Sequence, residues 1–417
     1  MDARTGVRGW QGQPDNAPPP TTDAVPPVDE APRPTTVPEL GDEPTRLADF
    51  LIGTVALFAV VVPQAPGHLQ VGLVALVGLV ALSVSRRPTR SLAGLTWLPG
   101  ALAAMIGYLV MVSISGPDLS LFGWPQRAMR LGLVIMAVVV IVTGRIHYPS
   151  LVRGMAVGLL GNAVLFFAGV APAPYQQYLT GFLLDKNQAG LAYTVVGVLL
   201  LGVTTNTRRQ IPIAVVCAAL VWASGSRTSI TAFVCALVWF VLRPRLGVPA
   251  RLVLAAVFAI AIPFVQEKYG QAGEFTDRVG TDLFRARIDA ASQAKLDAAP
   301  WHGQGLGEAW INLPDGATYF FHNSYWAVLV EGGWVYLAAV LVLTVWFGIR
   351  PLRSGPPPSL LACSGEAANL AVLICALRLG EVFGATTASI ALAAGLIGYL
   401  QAESLRTSDQ GVATVTR

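Results

Sequence analysis

Residues 323–348 read NSYWAVLVEGGWVYLAAVLVLTVWFG, a run whose only charged residue is Glu331. A helix needs roughly 20 mostly apolar residues to cross a bilayer, and this run is long enough. Hydrophobic residues make up 54% of the chain and charged residues only 12%, whereas a soluble domain is about 25% charged. Eleven further apolar runs lie at residues 48–63, 69–85, 97–115, 128–143, 151–171, 188–204, 211–223, 228–242, 251–266, 366–378 and 384–402. The sequence therefore predicts an all-α polytopic membrane protein with twelve transmembrane helices.

A long polar segment at residues 267–321 separates the ninth predicted helix from the tenth. Irregular backbone cannot face lipid, so this segment must lie in water on one side of the membrane. Its residues 281–298 are predicted to form an amphipathic helix, with Phe284, Ile288 and Ala291 on one face. A Gly303-x-Gly305-x-Gly307 turn follows, but it does not come after a strand, which excludes a dinucleotide-binding motif. We expect any catalytic chemistry to be in this loop.

The remaining organisation follows from composition. Residues 1–46 are rich in proline, threonine and acidic residues, have no apolar period, and are predicted to be a disordered tail. They do not have the pattern of a secretory signal. The predicted order is this tail, helices 1–9 over 47–266, the catalytic loop over 267–321, helices 10–12 over 322–402, and a second tail over 403–417.

The distribution of basic residues predicts the orientation, because cytoplasmic loops carry an excess of lysine and arginine. With both termini in the cytoplasm, 18 of the 28 basic residues lie inside and 10 outside. The outer ten are Arg127, Arg130, Lys186, Arg227, Lys268, Arg278, Arg285, Arg287, Lys295 and Arg378. The loop at 267–321 is therefore predicted to be extracytoplasmic.

Five outer basic residues stand in short loops, where the charge rule disfavours them: Arg127, Arg130, Lys186, Arg227 and Arg378. Charged residues near the membrane are costly and often functional. Their arginine forks match the geometry of a phosphate group, so a shared anionic ligand is one interpretation. The alternative is that each side chain extends to the outer lipid headgroups.

Three short motifs lie at outer helix starts. The turn Ser224-Gly225-Ser226-Arg227 can either approach a ligand closely or simply cap a helix. Asn187 is expected to cap the sixth helix, which would leave the positive end of its dipole and Lys186 open to an anion. The same residues also fit an ordinary cap beside a solvated lysine.

The pair His322-Asn323 stands at the start of the tenth helix. A histidine can act as a general base near neutral pH, although an interfacial or capping histidine fits the position too. In the preceding loop, Arg285 and Asp289 are four residues apart and could pair on one helix face.

The order of these motifs resembles the O-antigen ligase and polysaccharide polymerase family of membrane glycosyltransferases, with details closest to its exopolysaccharide polymerases. The resemblance covers roughly residues 175–345. It rests on Gly181 with Lys186-Asn187, the Ser224–Thr228 segment, an arginine followed by Pro300-x-x-Gly303-x-Gly305, His322-Asn323, and Glu331-x-Gly333.

The resemblance implies transfer of a glycan from undecaprenyl pyrophosphate to a glycan or glycolipid acceptor at the outer face of the cytoplasmic membrane. It implies no metal, no cofactor and no nucleic-acid partner. Arg227 matches the arginine of the family's Ser-x-Ser-Arg motif, and His322 matches its catalytic histidine. The spacing to Pro300 selects Arg285 over Arg287, but Asp289 stands where the family has tryptophan, so Arg287 remains a candidate. The expected substrate-binding residues are Lys186, Asn187, Ser226, Arg287, Arg127, Arg130, Asn323 and Arg378.

Elementary chemistry is consistent with the same substrate. A lipid pyrophosphate joins an anionic head to an apolar tail, and it therefore needs basic residues at headgroup depth. Pyrophosphate is also a good leaving group, and arginines that stabilise its departing charge would supply electrostatic catalysis.

Two other classes compete with this interpretation. Twelve helices also suit a transporter or a flippase of lipid-linked oligosaccharide, although no internal repeat is evident. A peptidoglycan glycosyltransferase would need an outer acid, for which Glu308, Asp315 and Glu331 could be proposed.

The orientation can be tested by cysteine labelling in a variant without the four native cysteines. Cysteines at Gly280 and Gly316 should react with a membrane-impermeant maleimide in intact cells, because both positions lie in the loop predicted to be outside. A cysteine at Gly247, in a predicted inner loop, should react only after lysis. The opposite pattern would reverse the topology.

Overall fold

The computed structural model describes residues 44–61, 69–116, 123–269, 279–314, 316–355, 357 and 359–415. Within these ranges the chain forms thirteen α-helices and one two-stranded hairpin. The helices are α1 Leu47–Val55, α2 Val71–Val84, α3 Leu98–Ser115, α4 Trp124–Val142, α5 Tyr148–Phe167, α6 Lys186–Gly202, α7 Thr207–Ala223, α8 Arg227–Leu242, α9 Val248–Tyr269, α10 Val279–Ala298, α11 Ser324–Leu341, α12 Leu360–Ala376 and α13 Thr386–Val415. The strands are β1 Trp310–Asn312 and β2 Thr318–Phe320.

The helical fold class is confirmed. Five helices are long and apolar enough to cross a membrane: α3, α4, α5, α11 with its π-helical extension Val342–Ile349, and Thr386–Thr407 of α13. Shorter apolar helices are Val71–Val84, Arg227–Leu242, Val248–Phe264 and Leu360–Ala376. Twelve crossings remain a prediction, as does the membrane orientation.

Two predicted boundaries differ from the structure. The first apolar run was expected to be helical to residue 63, but α1 ends at Val55. Beyond it, the backbone finds partners outside a helix: Ala59 N–H donates to Phe182 O at 2.9 Å, and Val71 N–H donates to Val60 O at 2.9 Å. At the other end, α13 continues to Val415, well past residue 402. Residues 1–43 of the predicted tail lie outside the described residues, as do Arg278 and Asp315.

The centre of the fold is a close packing of α6, α8 and α12, made possible by small residues. Gly190 of α6 faces Ser226 and Ser229, and a Cβ atom at Gly190 would come within 2.8 Å of the Cβ of each serine. The Cys363 thiol of α12 donates to Phe240 O at 3.3 Å near the end of α8, whereas the Cys375 thiol approaches Ser229 near its start. Helix α12 therefore runs antiparallel to α8, and α6 runs parallel to α8.

These directions sort the charged residues into two ends. Lys186, Arg227 and Arg378 lie at one end, here called the His322 end. His322 lies at this end as well. Ser324, two residues after it, donates its hydroxyl to Leu379 O at 2.5 Å, just past the end of α12.

The opposite end, here called the Glu366 end, holds a buried ion cluster. Arg243 Nε lies 2.5 Å from one Glu366 oxygen, and Arg350 Nη2 lies 3.1 Å from the other. Both Arg243 and Glu366 are fully buried. Removing one partner of such a buried pair is strongly destabilising, because the remaining charge is left unpaired.

The predicted amphipathic helix in the long loop is confirmed as α10. Its residue Ile288 is buried, with Phe284 and Ala291 packed around the same small core. The sequence did not indicate the hairpin that follows, in which Ile311 pairs with Tyr319. This hairpin and α10 pack together against the first turns of α11, at Ala327 and Val330. The loop is therefore a folded layer on the helices.

The glycine-rich turn fills a break in α11. Gly333 has φ +64° and ψ −162°, which interrupts the helix. Trp334 N–H then donates to Trp301 O at 3.0 Å, while Gln304 and Gly305 N–H donate to Val330 O at 2.6 Å and Glu331 O at 3.0 Å. Buried backbone groups must find partners, and here the turn supplies the partners that the broken helix lost.

The glycines of the turn are required by conformation and by close approach. Gly303, Gly305 and Gly307 have φ values of +89°, +112° and +89°. A Cβ atom at Gly303 would come within 2.7 Å of the Gly333 backbone nitrogen. Tyr108 of α3 contacts both the turn and α11: its hydroxyl lies 3.0 Å from His302 O and 3.1 Å from Gly332 O.

Replacing Gly333 by alanine should strongly destabilise the protein. The positive φ alone costs about 1–3 kcal/mol, and a new Cβ would overlap with the backbone of Trp301 and His302. Gly316→Ala is the matched control, because Gly316 has φ +80° but open space around it. In detergent, Gly316→Ala should lower the melting temperature modestly and Gly333→Ala much further. Equal losses would contradict the tight docking.

Candidate functional site

His322 is held between two anchored neighbours. Phe321 before it is buried, and its N–H donates to Ala309 O at 3.1 Å. Asn323 after it caps α11, because its side-chain oxygen accepts from Tyr325 N–H at 2.9 Å and Trp326 N–H at 3.3 Å. Asn323 therefore positions the backbone beside the histidine, and the substrate contact expected from the sequence stays a prediction.

Three charged side chains surround the imidazole of His322. Burial, followed by the positive charge of Arg285, lowers the pKa of His322 below 6.5, while Asp289 and Asp185 oppose this shift. Arg285 and Asp289 come from α10, and Asp185 precedes α6. Because the pKa lies below its usual value, the ring is neutral at physiological pH and can accept a proton. Arg287 is not among the groups that shift this pKa in the described part of the chain, and its side chain is exposed.

The expectation that Asn187 caps α6 is wrong. The cap is Asp185, whose Oδ1 accepts from Asn187 N–H and Gln188 N–H, each at 2.9 Å. Its Oδ2 accepts from the Tyr175 hydroxyl at 3.1 Å. A carboxylate at the cap position already neutralises the positive end of the helix. The start of α6 is therefore not open to an anion in the way the sequence suggested.

Lys186 links the surroundings of His322 to the Arg227 turn. Its ammonium group lies 5.3 Å from the ring centre of Tyr175 and 5.1 Å from that of Tyr178. Tyr178 in turn packs against Gly225, two residues before the half-buried Arg227. The break predicted at residues 224–226 is confirmed, and α8 begins at Arg227.

Ser226 points away from solvent. It is buried, and its hydroxyl lies 2.9 Å from the Ser229 hydroxyl, against α6. The structure thus gives Ser226 a packing contact in place of the substrate contact expected from the sequence.

Arg378 also belongs to this group of residues. Its guanidinium lies 3.5 Å from an Asp289 oxygen, and its side chain is 55% exposed. A half-exposed pair at this distance is weak, so the Arg378 guanidinium can turn to another anion at little cost.

Arg127 has two carboxylate partners. It lies 2.7 Å from Glu331 and 2.5 Å from Glu381. Burial alone would raise the pKa of Glu381, but Arg127 and Arg130 keep it below its usual value. The sequence placed Arg127 among the anion ligands; its guanidinium binds two carboxylates in this structure, and the expected substrate contact stays a prediction.

Two candidates for an outer acid are likewise engaged in structural contacts. Glu331 accepts from Gly307 N–H at 3.0 Å as well as pairing with Arg127. Glu308 lies 3.4 Å from Lys295, whose ammonium also donates to Trp310 O at 3.0 Å.

Sequence reasoning missed Asp185 and the tyrosines Tyr175 and Tyr178. An acidic residue directly before a helix is a recognisable cap, so Asp185 could have been found. The tyrosines precede the motif in an irregular segment, and their stacking on Lys186 is set by tertiary contacts.

A scan against known protein-family models and a search of curated proteins find no match to this chain.

The charges around His322 can be tested by titrating its ring with NMR in detergent. Arg285→Gln removes a positive charge, so the pKa of His322 should rise and the protonated form should persist to higher pH. Asp289→Asn should shift the pKa in the opposite direction, because it removes a negative charge. The same pKa in both variants would show that α10 does not approach His322.

Proposed function

We propose that this protein is a membrane glycosyltransferase that transfers or polymerises glycan from an undecaprenyl-pyrophosphate-linked donor. The observation that carries the proposal is a neutral histidine beside Arg285, at an end of the helices that holds further basic residues from separate segments. His322 lies two residues before α11, Arg285 comes from α10, Lys186 starts α6, and Arg378 follows α12. The same residue types, in the same chain order, carry the resemblance to the O-antigen ligase and polysaccharide polymerase family.

The charge of this region favours an anionic ligand. Arg227, Arg285, Lys186 and Arg378 are four positive side chains, and Asp185 and Asp289 are two negative ones, so 4 − 2 leaves a surplus of two positive charges. A pyrophosphate offers several oxygens to such a set, and arginine binds them through two parallel hydrogen bonds. Of the two loop arginines left open by the sequence, the position beside His322 favours Arg285.

The reaction follows from these roles. An acceptor hydroxyl attacks the anomeric carbon of the donor sugar, and His322 takes the hydroxyl proton as the new glycosidic bond forms. The bond between that carbon and the pyrophosphate oxygen breaks, and its electron pair leaves with the lipid pyrophosphate. Arg227 and Arg285 stabilise the charge that builds up on this leaving group.

The proposed location is the outer face of the cytoplasmic membrane, with both termini in the cytoplasm and twelve crossings. The grouping of residues at the two ends of the helices supports it. Arg243, Arg251, Arg350 and Arg353, assigned to the inner side by the charge rule, meet at the Glu366 end, where Arg243 and Arg350 bind Glu366 and Arg251 donates to Arg353 O. His322 and its neighbours lie at the other end.

Glycan transfer by alanine variants tests the role of His322. His322→Ala should lower the rate by about 10²–10⁴, the range that general-base catalysis supplies, while donor lipid still binds. His302→Ala is the matched control. The His302 side chain is exposed, and only its backbone carbonyl faces Tyr108, so alanine should be tolerated. A fully active His322→Ala beside an inactive His302→Ala would contradict the assignment.

A further inference from the structure

A cavity of about 320 Å³ lies beside the His322 site. It has room for roughly ten water molecules at a liquid volume of ~30 Å³ each. Its walls come from residues 56–59 after α1, Gln70 and the start of α2, the start of α6, Arg130 of α4, and the start of α13. It reaches the volume range of small-molecule sites in proteins.

The cavity adjoins the chemistry through shared residues. Asp185 lines its wall and is also one of the three charges around His322. Gln188, one turn further along α6, lines the cavity and donates to Gly380 O at 3.5 Å. Gly380 in turn packs against the carbonyl of Phe321, the residue before His322, so a wall residue of the cavity contacts, through Gly380, the segment that leads to the histidine.

The charges of the lining argue against a second anion site. Asp185 and Glu381 place two carboxylates in the wall, against the single guanidinium of Arg130. The amides of Gln70 and Gln188 add donors and acceptors of both kinds. Such a mixture fits a neutral ligand with many hydroxyl groups, and because Glu381 is already paired with Arg127, the lining offers a phosphate no surplus of positive charge.

We propose that this cavity binds the neutral saccharide part of the lipid-linked substrate, next to the pyrophosphate held by Arg227 and Arg285. This inference rests on the proposed function. It divides one amphiphilic substrate between two neighbouring regions: a positively charged one for the pyrophosphate and a hydroxyl-binding one for the sugar.

The test compares two probes on purified protein by native mass spectrometry: undecaprenyl pyrophosphate, and the lipid-linked glycan extracted from membranes of the producing cells. Gln70→Trp fills the cavity from the α1–α2 side. It should weaken binding of the glycan-bearing lipid at least about tenfold, a change of one decade in affinity, and leave undecaprenyl pyrophosphate bound as in wild type. Gln126→Trp, an exposed residue at the same end and outside the cavity, is the matched control.

A milder variant guards against misfolding. Gln70→Leu keeps a similar side-chain volume and removes the amide, so glycan-lipid affinity should fall about 2- to 12-fold, the range for one neutral hydrogen bond. If Gln70→Trp and Gln70→Leu bind the glycan-bearing lipid as tightly as Gln126→Trp, the saccharide assignment is wrong although the proposed function stands. If wild type binds neither lipid, the proposed function itself fails, and this inference fails with it.

Discussion

The fold depends on the docking of the glycine turn at residues 303–307 into the break of α11. A helix interrupted at Gly333 leaves backbone groups without their usual partners, and such groups cannot stay unpaired away from water. The turn pairs with them, and Gly307 N–H also binds the Glu331 carboxylate. Because Glu331 in turn binds Arg127 of α4, the loop is joined to the helix bundle by both backbone and charge.

The docking of the loop onto the helices explains why the basic residues at the His322 end have different roles. Arg127 completes the charge balance of Glu331 and Glu381, so it stabilises the scaffold. Arg285 is carried by α10, which the docked loop holds over the start of α11. Burial lowers the pKa of the His322 imidazole, and the positive charge that α10 keeps near the ring lowers it further, so the ring is neutral. The same geometry that anchors the loop thus also sets up the proposed proton acceptor.

Hydropathy predicted the helices well, and the spacing of Phe284 and Ile288 predicted α10, because burial on one face leaves a helical period in the sequence. The hairpin at Trp310–Phe320 was not predicted, since three-residue strands have too little alternation to detect. Ion pairs between distant parts of the chain could not be predicted from the sequence either, since Arg127 pairs with Glu381, 254 residues away. The candidate histidine could be named from its motif, whereas the charges that surround it depend on tertiary packing.

Consumption of a lipid-linked donor can be measured with purified protein in proteoliposomes that are supplied with lipid-linked glycan and an acceptor. We expect undecaprenyl pyrophosphate to be released as glycan is joined to the acceptor. Intact lipid-linked glycan that appears on the opposite leaflet, with no pyrophosphate released, would contradict it and identify a flippase.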